Sequence, residues 1–151
     1  MGWEKLLDEK TNILICTVGL PKSGKTTWAK RQGYPIVCPD SIRLALHGQR
    51  FAAQAEPFVW AIAKLMVRSL FLAGNKIVIL DATNNTLARR DEWRHPDWSL
   101  YFKVIATSVD ECIKRAKAEG DEQIIPVIDR QDAEHQPLAY DEDEWPGLKK
   151  S

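Results

Sequence analysis

Short apolar runs alternate along the chain with longer segments in which apolar residues recur at three- and four-residue intervals. The run "ILICTV" at 13–18 is continuous in apolar and β-branched residues, which is typical of a strand buried on both faces. Three more runs, at 35–39, 76–80 and 100–106, predict three further strands. Helices are predicted over 26–32, 41–47, 57–73, 86–93, 109–119 and about nine residues from Pro126. Strands joined by helices predict an α/β fold with a parallel sheet of four, possibly five, strands, covered by helices on both faces.

Boundary residues support several of these helices. The 57–73 segment is opened by Pro57 and closed by Gly74, and Asn85 is placed to cap the helix at 86–93. Ser108 and Glu111 have the spacing of a capping box. The periodic apolar residues of the 57–73 helix are Phe58, Ile62, Leu65, Met66, Leu70 and Ala73.

Length and composition predict one domain over 1–151, with a core at about 12–135 and an acidic tail at about 136–151. The tail segment "YDEDEW" has the composition of a solvated stretch, and an interaction segment is the alternative. With 21 basic and 21 acidic residues the net charge is zero, so a nucleic-acid substrate would need a local basic patch.

Cellular context is predicted from what the sequence does not contain. The three cysteines are odd in number and lie in or beside apolar stretches, which favours reduced, buried thiols. The charged amino terminus is unlike a secretory signal, and no apolar run reaches the length of a membrane span. A cytoplasmic protein without a membrane partner is the expectation; the oligomeric state is left open.

The segment "GLPKSGKTT" directly follows the first predicted strand and opens a predicted helix. Its G-x-x-x-x-G-K-T spacing predicts a loop whose backbone N–H groups surround the phosphates of ATP. Lys25 would reach the β- and γ-phosphates, and the Thr26 hydroxyl would ligate Mg²⁺. A glycine-rich turn with an incidental lysine is the alternative. The residues predicted to bind the nucleotide are Gly19, Lys22, Ser23, Gly24, Lys25, Thr26 and Thr27.

Asp81 and Asn84 follow the predicted strand at 76–80, and both are candidates for binding the acceptor substrate. A carboxylate there can order the water shell of Mg²⁺ or hold the acceptor substrate, and the sequence does not separate these roles. Alternatively, both residues only cap the following helix.

Asp40 and Arg43 lie three residues apart after the second predicted strand, so both side chains project toward one side of a helix. An aspartate there can orient an acceptor hydroxyl and take its proton, and an arginine fork suits an anionic group on the acceptor. The alternative is a capping aspartate beside a surface arginine.

The helix at 109–119 carries Lys114, Arg115 and Lys117 close to the flexible segment "GDEQIIP". A cation that closes over a transferred phosphoryl group neutralises charge in the transition state, and Arg115 is the favoured candidate. A charged solvent face is the alternative.

Together, "GLPKSGKTTWA", "PDSIR", "ILDATN" and "ECIKRA…QIIP" resemble the kinase domain of phage polynucleotide kinase and its wider group of small P-loop kinases. The resemblance spans about residues 13–130 and implies a three-layer P-loop NTPase fold with a lid near the C-terminus. It implies transfer of the γ-phosphoryl of ATP to a hydroxyl, in the family case the 5′-hydroxyl of a nucleic acid. The implied roles are ATP and Mg²⁺ binding by Lys25 and Thr26, general base for Asp40, substrate and transition-state contact for Arg43, acceptor-site carboxylate for Asp81 and lid arginine for Arg115.

Two departures from this group stand out. Glu119 occupies the position of a second lid arginine, so Lys117 or Arg130 would have to substitute, or the lid works differently. No chain is left for the 3′-phosphatase domain of the bifunctional relatives, so that activity is not expected.

Three functions remain in competition. In a polynucleotide 5′-hydroxyl kinase for end repair, DNA or RNA would be gripped by Arg43, Arg89 and Arg90 and would stack on Trp28, Trp60 or Trp93. A kinase of a small hydroxyl compound, such as a nucleoside, a sugar or an antibiotic, would use the same scaffold. An ATP-binding module without catalysis is the third, although it would have no need of a base at Asp40.

Overall fold

A computed structural model describes residues 11–147; the interpretation of residues 1–10 therefore lies outside the described part. One parallel sheet of four strands has the spatial order β2-β3-β1-β4. The strands are β1 (Asn12–Val18), β2 (Ile36–Val37), β3 (Ile77–Leu80) and β4 (Trp98–Val104). The predicted four-stranded parallel sheet is confirmed.

Helices separate the strands in chain order. They are α1 (Lys25–Gln32), α2 (Pro39–His47), α3 (Glu56–Leu72), α4 (Leu87–Asp91), α5 (Val109–Ala118) and α6 (Ile125–Glu134). Short 3₁₀ turns precede α3 and α6. No helix within residues 11–147 is both long and apolar enough to cross a membrane.

The sheet is covered on both faces because neighbouring residues of a strand point in opposite directions. Leu14 and Cys16 of β1 pack with buried residues of α3. Ile13 and Ile15 pack with Ala29 of α1 in a separate cluster on the other face. This arrangement gives the three layers of the predicted fold.

The face of α3 that packs on the sheet differs from the predicted periodic set. Val59, Ala63, Val67 and Phe71 are buried, all at four-residue intervals. Phe58 and Leu65 from the predicted set are 64% and 66% exposed. Leu72, which was not in that set, is 86% exposed. The helix is apolar on most sides, so periodicity alone does not select the face. Small and β-branched residues occupy the sheet side, where they let the helix axis approach the strands closely.

The acidic C-terminal segment is paired with the sheet, and its interpretation as a solvated tail is wrong for Glu142 and Trp145, which are buried. Phe102 of β4 donates its N–H to the Asp143 carbonyl at 2.9 Å and accepts from the Trp145 N–H at 2.7 Å. A parallel bridge pairs Phe102 with Glu144, so the segment extends the sheet beyond β4 without forming a full fifth strand. Trp145 is 4% exposed and Glu142 is 7% exposed.

Helix ends differ from the predictions by one or two residues. Helix α2 begins at Pro39 instead of residue 41, so Asp40 lies in its first turn. Thr86 caps α4 by accepting from the Arg89 N–H; Asn85 does not. Ser108 caps α5 by accepting from the Glu111 N–H, as the capping box predicts.

Candidate active site

The phosphate-binding loop connects β1 to α1 and has the backbone geometry that its glycines require. Gly24, immediately before α1, has a φ of 103°, a conformation that side-chain-bearing residues rarely adopt. A Cβ on Gly19 would lie 2.8 Å from the Ser23 Oγ and 3.0 Å from the Ile105 carbonyl oxygen. Ser23 itself is buried, and its hydroxyl has no hydrogen-bond partner among residues 11–147. An unpaired buried hydroxyl in this loop suits a phosphate ligand.

Lys25 is the first residue of α1, and its ammonium lies inside the loop. The Nζ donates to the Leu20 carbonyl at 2.7 Å. Burial lowers the pKa of Lys25, while the carboxylates of Asp81 and Asp40 act in the opposite direction. Both predicted carboxylates thus act electrostatically on the Lys25 ammonium.

Thr26 and Asp81 meet across the end of the sheet. The Thr26 hydroxyl donates to the Asp81 carboxylate at 2.6 Å, and Asp81 is 5% exposed at the end of β3. This geometry fits the magnesium role of Asp81, because a threonine ligand and a carboxylate lie side by side. Among residues 11–147 no group of three or more His, Cys, Asp or Glu could hold a metal. A magnesium ion would thus depend on Thr26, on water held by Asp81 and on phosphate oxygens.

Asn84 is buried and hydrogen-bonded to β1, and this position argues against its predicted contact with substrate. It is 1% exposed, and its side-chain amide donates to the Thr17 carbonyl at 2.9 Å. Its φ of 43° lies in the left-handed region, which asparagine tolerates better than most residues. The predicted role would require an accessible amide, which this geometry does not provide.

On the acceptor side, Asp40 and Arg43 are brought together with a residue that the sequence analysis missed, Glu56. Arg43 donates its Nη1 to the Asp40 carboxylate at 2.7 Å. Its Nε and Nη2 donate to the two carboxylate oxygens of Glu56 at 2.9 and 2.7 Å. The Asp40 side chain is 84% exposed, whereas Arg43 and Glu56 are 15% and 19% exposed. An open carboxylate is thus held by a largely buried arginine and glutamate.

Trp60, one turn along α3 from Glu56, lies beside two arginines. The Arg89 guanidinium carbon is 4.6 Å from the centroid of the indole, and that of Arg43 is 5.8 Å away. Both distances fall within the range of cation–π contact. The predicted substrate residue Arg89 therefore lies next to the acceptor-side arginine.

Arg90 and Trp93 are buried, so their suggested contacts with nucleic acid are wrong. Both residues are 0% exposed. Arg90 donates its Nε to Glu142 at 2.8 Å and donates to the carbonyls of three other residues, Asn84, Gln136 and Pro137. These contacts join α4 to the C-terminal segment.

The lid consists of α5, α6 and the turn between them, which share a small core of Cys112, Ala116 and Ile128. Arg115 extends from α5 over the phosphate-binding loop. Its Nη1 donates to the Lys22 carbonyl at 3.1 Å, and its Nε donates to Glu111 at 3.2 Å. Arg115, Lys114, Lys117 and Arg130 are all exposed, and within residues 11–147 it is Arg115 whose side chain is hydrogen-bonded to the phosphate-binding loop. The lid role of Arg115 stays a prediction.

Glu119, which stands in place of a second lid arginine, pairs with the loop instead. Its carboxylate accepts from the Lys22 Nζ at 2.6 Å, and Asp121 lies 3.1 Å from the same ammonium. Asp121 also accepts from Arg50, at 2.8 Å from Nη1, and this hydrogen bond lowers the pKa of Asp121 to about 2. The lid is therefore joined by ion pairs both to the loop and to the segment after α2.

Glu56, Arg50 and Asp121 were not predicted because their partners are distant in sequence. A carboxylate in the first turn of a helix ordinarily complements the helix dipole, and that was the only local signal at Glu56.

Comparisons with known proteins bear on the family and the fold. A family model described as an AAA domain matches residues 14–138. The curated protein sequences that were compared include no match. Among solved structures, a chain of the Pnkp1/Rnl/Hen1 RNA repair complex is similar with a TM-score of 0.64 and 20% identity, over 83% of this chain and 47% of that chain. A chain in a second structure of a Pnkp1/Rnl/Hen1 complex is similar with a TM-score of 0.57 and 29% identity, over 70% of this chain and 39% of that chain. A gluconokinase from Sinorhizobium meliloti is similar with a TM-score of 0.54 and 19% identity, over 87% of this chain and 78% of that chain.

The protein thus spans less than half the length of the two repair-complex chains and most of the gluconokinase. Since the family match covers most of the protein, the chain belongs to the AAA domain family, with the fold of a P-loop kinase.

Proposed function

We propose that this protein is an ATP-dependent kinase that transfers the γ-phosphoryl group to the 5′-hydroxyl of a polynucleotide, in the cytoplasm. The observation that carries the proposal is the exposed carboxylate of Asp40, which is hydrogen-bonded to the largely buried Arg43 in the first turn of α2. A module that only bound ATP would have no use for an open carboxylate held in this way.

In the proposed reaction, the Asp40 carboxylate accepts a hydrogen bond from the acceptor hydroxyl and takes its proton as the new O–P bond forms. The bond between the γ-phosphorus and the bridging oxygen of ATP breaks in the same step, with ADP as the leaving group. Lys25 and Arg115 lie on the loop and over it, where they neutralise charge on the phosphoryl oxygens.

A magnesium ion would supply positive charge that offsets the charge developing on the phosphoryl oxygens. The Thr26 hydroxyl would ligate the ion, and Asp81 would hold its water, because these two groups lie 2.6 Å apart. The hydrogen bond that Thr26 donates to Asp81 holds the two groups side by side.

A polynucleotide acceptor is supported by the arginines beside Asp40 and by the 29% identity to a chain of a Pnkp1/Rnl/Hen1 complex. Arg43 and Arg89 lie on one indole ring, where they suit the anionic backbone of a nucleic acid. A small hydroxyl acceptor is the second candidate, and the likeness to gluconokinase over 78% of that chain favours it.

The decisive experiment measures transfer of labelled γ-phosphate from ATP, with Mg²⁺, to 5′-hydroxyl DNA and RNA oligonucleotides and to gluconate and nucleosides. We expect transfer to an oligonucleotide, and a loss of about 10²-fold or more in Asp40→Asn with unchanged ATP affinity. Asp110→Asn, which changes an exposed first-turn aspartate of α5, is the matched control and should retain activity.

Two results would contradict the proposal. Turnover of gluconate or a nucleoside without any of an oligonucleotide would show the small-acceptor kinase. Survival of transfer in Asp40→Asn would remove Asp40 as the base.

A further inference from the structure

Lys22 stands in the phosphate-binding loop with a backbone conformation that is unfavourable for a lysine. Its φ is 67°. Among residues 11–147 the other residue with a side chain and a positive φ is Asn84, and asparagine adopts this conformation more readily. A glycine at position 22 would have the same backbone without strain. The contacts of the Lys22 side chain therefore have to offset a backbone cost.

Both the side chain and the backbone of Lys22 contact the lid. The Nζ donates to the Glu119 carboxylate at 2.6 Å and lies 3.1 Å from the Asp121 carboxylate. The Lys22 carbonyl accepts from the Arg115 Nη1 at 3.1 Å. Arg115 and Glu119 are four residues apart and joined by a backbone hydrogen bond of 3.0 Å, so their side chains are neighbours on one side of α5. One residue of the loop thus holds two successive turns of the lid helix.

The position of Arg115 over the loop depends on these contacts. A Cβ on Gly24 would lie 3.8 Å from the Arg115 Nη1, so the guanidinium is close to the loop backbone. The other hydrogen bond of Arg115, to Glu111, is made within α5 and cannot fix the distance between helix and loop. At the opposite end of α5, the Thr107 hydroxyl donates to the Ser23 carbonyl at 2.7 Å.

Lys22 and Lys25 have different surroundings, although both belong to the loop. The Lys25 Nζ lies inside the loop and donates to the Leu20 carbonyl. The Lys22 Nζ is engaged by two carboxylates of the lid, and one of them, Asp121, also pairs with Arg50. A single exposed ion pair contributes little, but a network of four charges holds its members in place more firmly.

We infer that Lys22 is a positioning residue for phosphoryl transfer, which holds Arg115 over the phosphate-binding loop by pairing with Glu119. The inference rests on the proposed function, but it requires only transfer from ATP and not a particular acceptor. The polarity is the reverse of a lid with a second arginine, because here the loop supplies the cation and the lid supplies the carboxylate. In the proposed reaction Arg115 neutralises charge on the phosphoryl oxygens, so its displacement slows transfer while ATP still binds.

Steady-state kinetics of Lys22→Met, with an acceptor that the wild-type protein phosphorylates, test this role. We expect kcat to fall by about tenfold and the KM for ATP to change by less than about twofold, because Arg115 is displaced while the nucleotide contacts remain. Glu119→Gln should give the same split. Lys22→Arg retains a cation and should recover most of the lost rate. Lys30→Met, which changes an exposed lysine of α1, is the matched control and should behave as the wild-type protein.

Double variants show whether Lys22 acts through Arg115. We expect Arg115→Gln to lower kcat further than Lys22→Met, and the addition of Lys22→Met to Arg115→Gln to cause no further loss. Multiplied losses would mean that Lys22 acts independently of Arg115, and the inference would be wrong. Lys22→Gly relieves the positive φ, so its thermal midpoint should stay close to that of the wild-type protein while kcat falls. A lower midpoint with an unchanged kcat would show a structural role instead.

Hydrogen exchange of the backbone amides at 115–120 measures the attachment of the lid without catalysis. We expect faster exchange in Lys22→Met and in Glu119→Gln than in the wild-type protein. Unchanged exchange in both variants would overturn the inference. So would a raised KM for ATP in Lys22→Met but not in Glu119→Gln, since that result would show a direct contact of Lys22 with the nucleotide.

The outcomes separate the inference from the proposed function. If the wild-type protein phosphorylates an acceptor and Lys22→Met keeps the full kcat, the positioning role is wrong and the kinase assignment stands. If the wild-type protein binds ATP but phosphorylates neither oligonucleotides nor small acceptors, the proposed function is wrong, and the positioning role in transfer falls with it.

Discussion

At the residue scale, the site depends on a chain of contacts that runs from Glu56 through Arg43 to Asp40. Glu56 accepts two hydrogen bonds from Arg43, and Arg43 donates a third to the proposed base. Glu56 touches neither ATP nor acceptor in this arrangement, so it is a positioning residue. Its effect must pass through the orientation of Arg43.

We expect Glu56→Gln to lower kcat by about tenfold with the KM for ATP unchanged, because a displaced Arg43 no longer fixes Asp40. The substituted amide presents a donor to a guanidinium that has only donors. Steady-state kinetics with an oligonucleotide acceptor measure this split, and Glu134→Gln on α6 is the control. A rise in the KM for ATP at constant kcat would contradict the positioning role.

The residues that the sequence predicted well are those whose roles depend on neighbours in the chain. Lys25 and Thr26 follow directly from the loop spacing, and Asp81 from the end of a buried run. Glu56 was missed because its partner lies thirteen positions away across an irregular segment. Arg90 was misread because arginine is ordinarily exposed, and its buried partner Glu142 is far along the chain.

At the element scale, α3 shows where periodicity fails. Its sequence is apolar on most sides, so the buried face is set by which residues permit close packing on the sheet. Val67 is 0% exposed and Leu65 is 66% exposed, although both are aliphatic residues of the same helix.

We expect Val67→Ala to lower the free energy of unfolding by about 2 kcal/mol, from lost burial and a residual cavity. Leu65→Ala should change it by less than about 0.5 kcal/mol, since it removes surface that is already in water. Urea denaturation of the two variants measures the difference. A larger loss in Leu65→Ala than in Val67→Ala would mean that α3 packs through the other face.

The lid is the element whose attachment depends on pH. Hydrogen bonds from Arg50 are the main reason that the pKa of Asp121 is lowered to about 2 from its ordinary value of 3.8. A carboxyl group with a lowered pKa in the folded state contributes stability above its unfolded pKa, and that contribution is lost as the pH falls through the folded pKa. The ion pairs with Arg50 and Lys22 are therefore intact at pH 7 and weaken between about pH 4 and pH 2.

We expect Asp121→Asn to lower the thermal midpoint at pH 7 and the difference from the wild-type protein to shrink as the pH falls from 4 to 2. Circular dichroism melts at pH 7, 4, 3 and 2 measure this trend. Asp129→Asn, an exposed aspartate of α6, should track the wild-type protein at every pH. A difference that stays constant with pH would show that the carboxylate charge is not involved.

At the scale of the whole molecule, the segment that follows the lid closes the fold. The three-layer arrangement was predictable because strands and helices alternate in the chain, and each apolar run marks a strand. The position of the acidic segment was not predictable, because four acidic residues within six positions suggest solvent exposure. The buried Arg90 that neutralises Glu142 is 52 residues away in the sequence. The charge composition of a segment does not show whether a distant residue pairs with its charges.

Glu142 is the residue through which this long-range closure can be tested. Its carboxylate accepts from the Arg90 Nε at 2.8 Å and from the Ala139 N–H at 3.0 Å. Removing one partner of a buried ion pair leaves the other charge unpaired, so we expect Glu142→Ala to lower the free energy of unfolding by about 3–5 kcal/mol. Glu144→Ala, two positions along at an exposed site, should have little effect.

Replacing both partners should not rescue stability as it can for a simple buried pair. Arg90 also donates to the carbonyls of Asn84, Gln136 and Pro137, and these acceptors would lose their partner when the arginine is removed. We therefore expect a double variant, Arg90→Met with Glu142→Met, to remain destabilised in urea unfolding. A double variant as stable as the wild-type protein would mean that the carbonyl contacts contribute nothing, and that the segment is held to the sheet by Trp145 and the Phe102 backbone pairing alone.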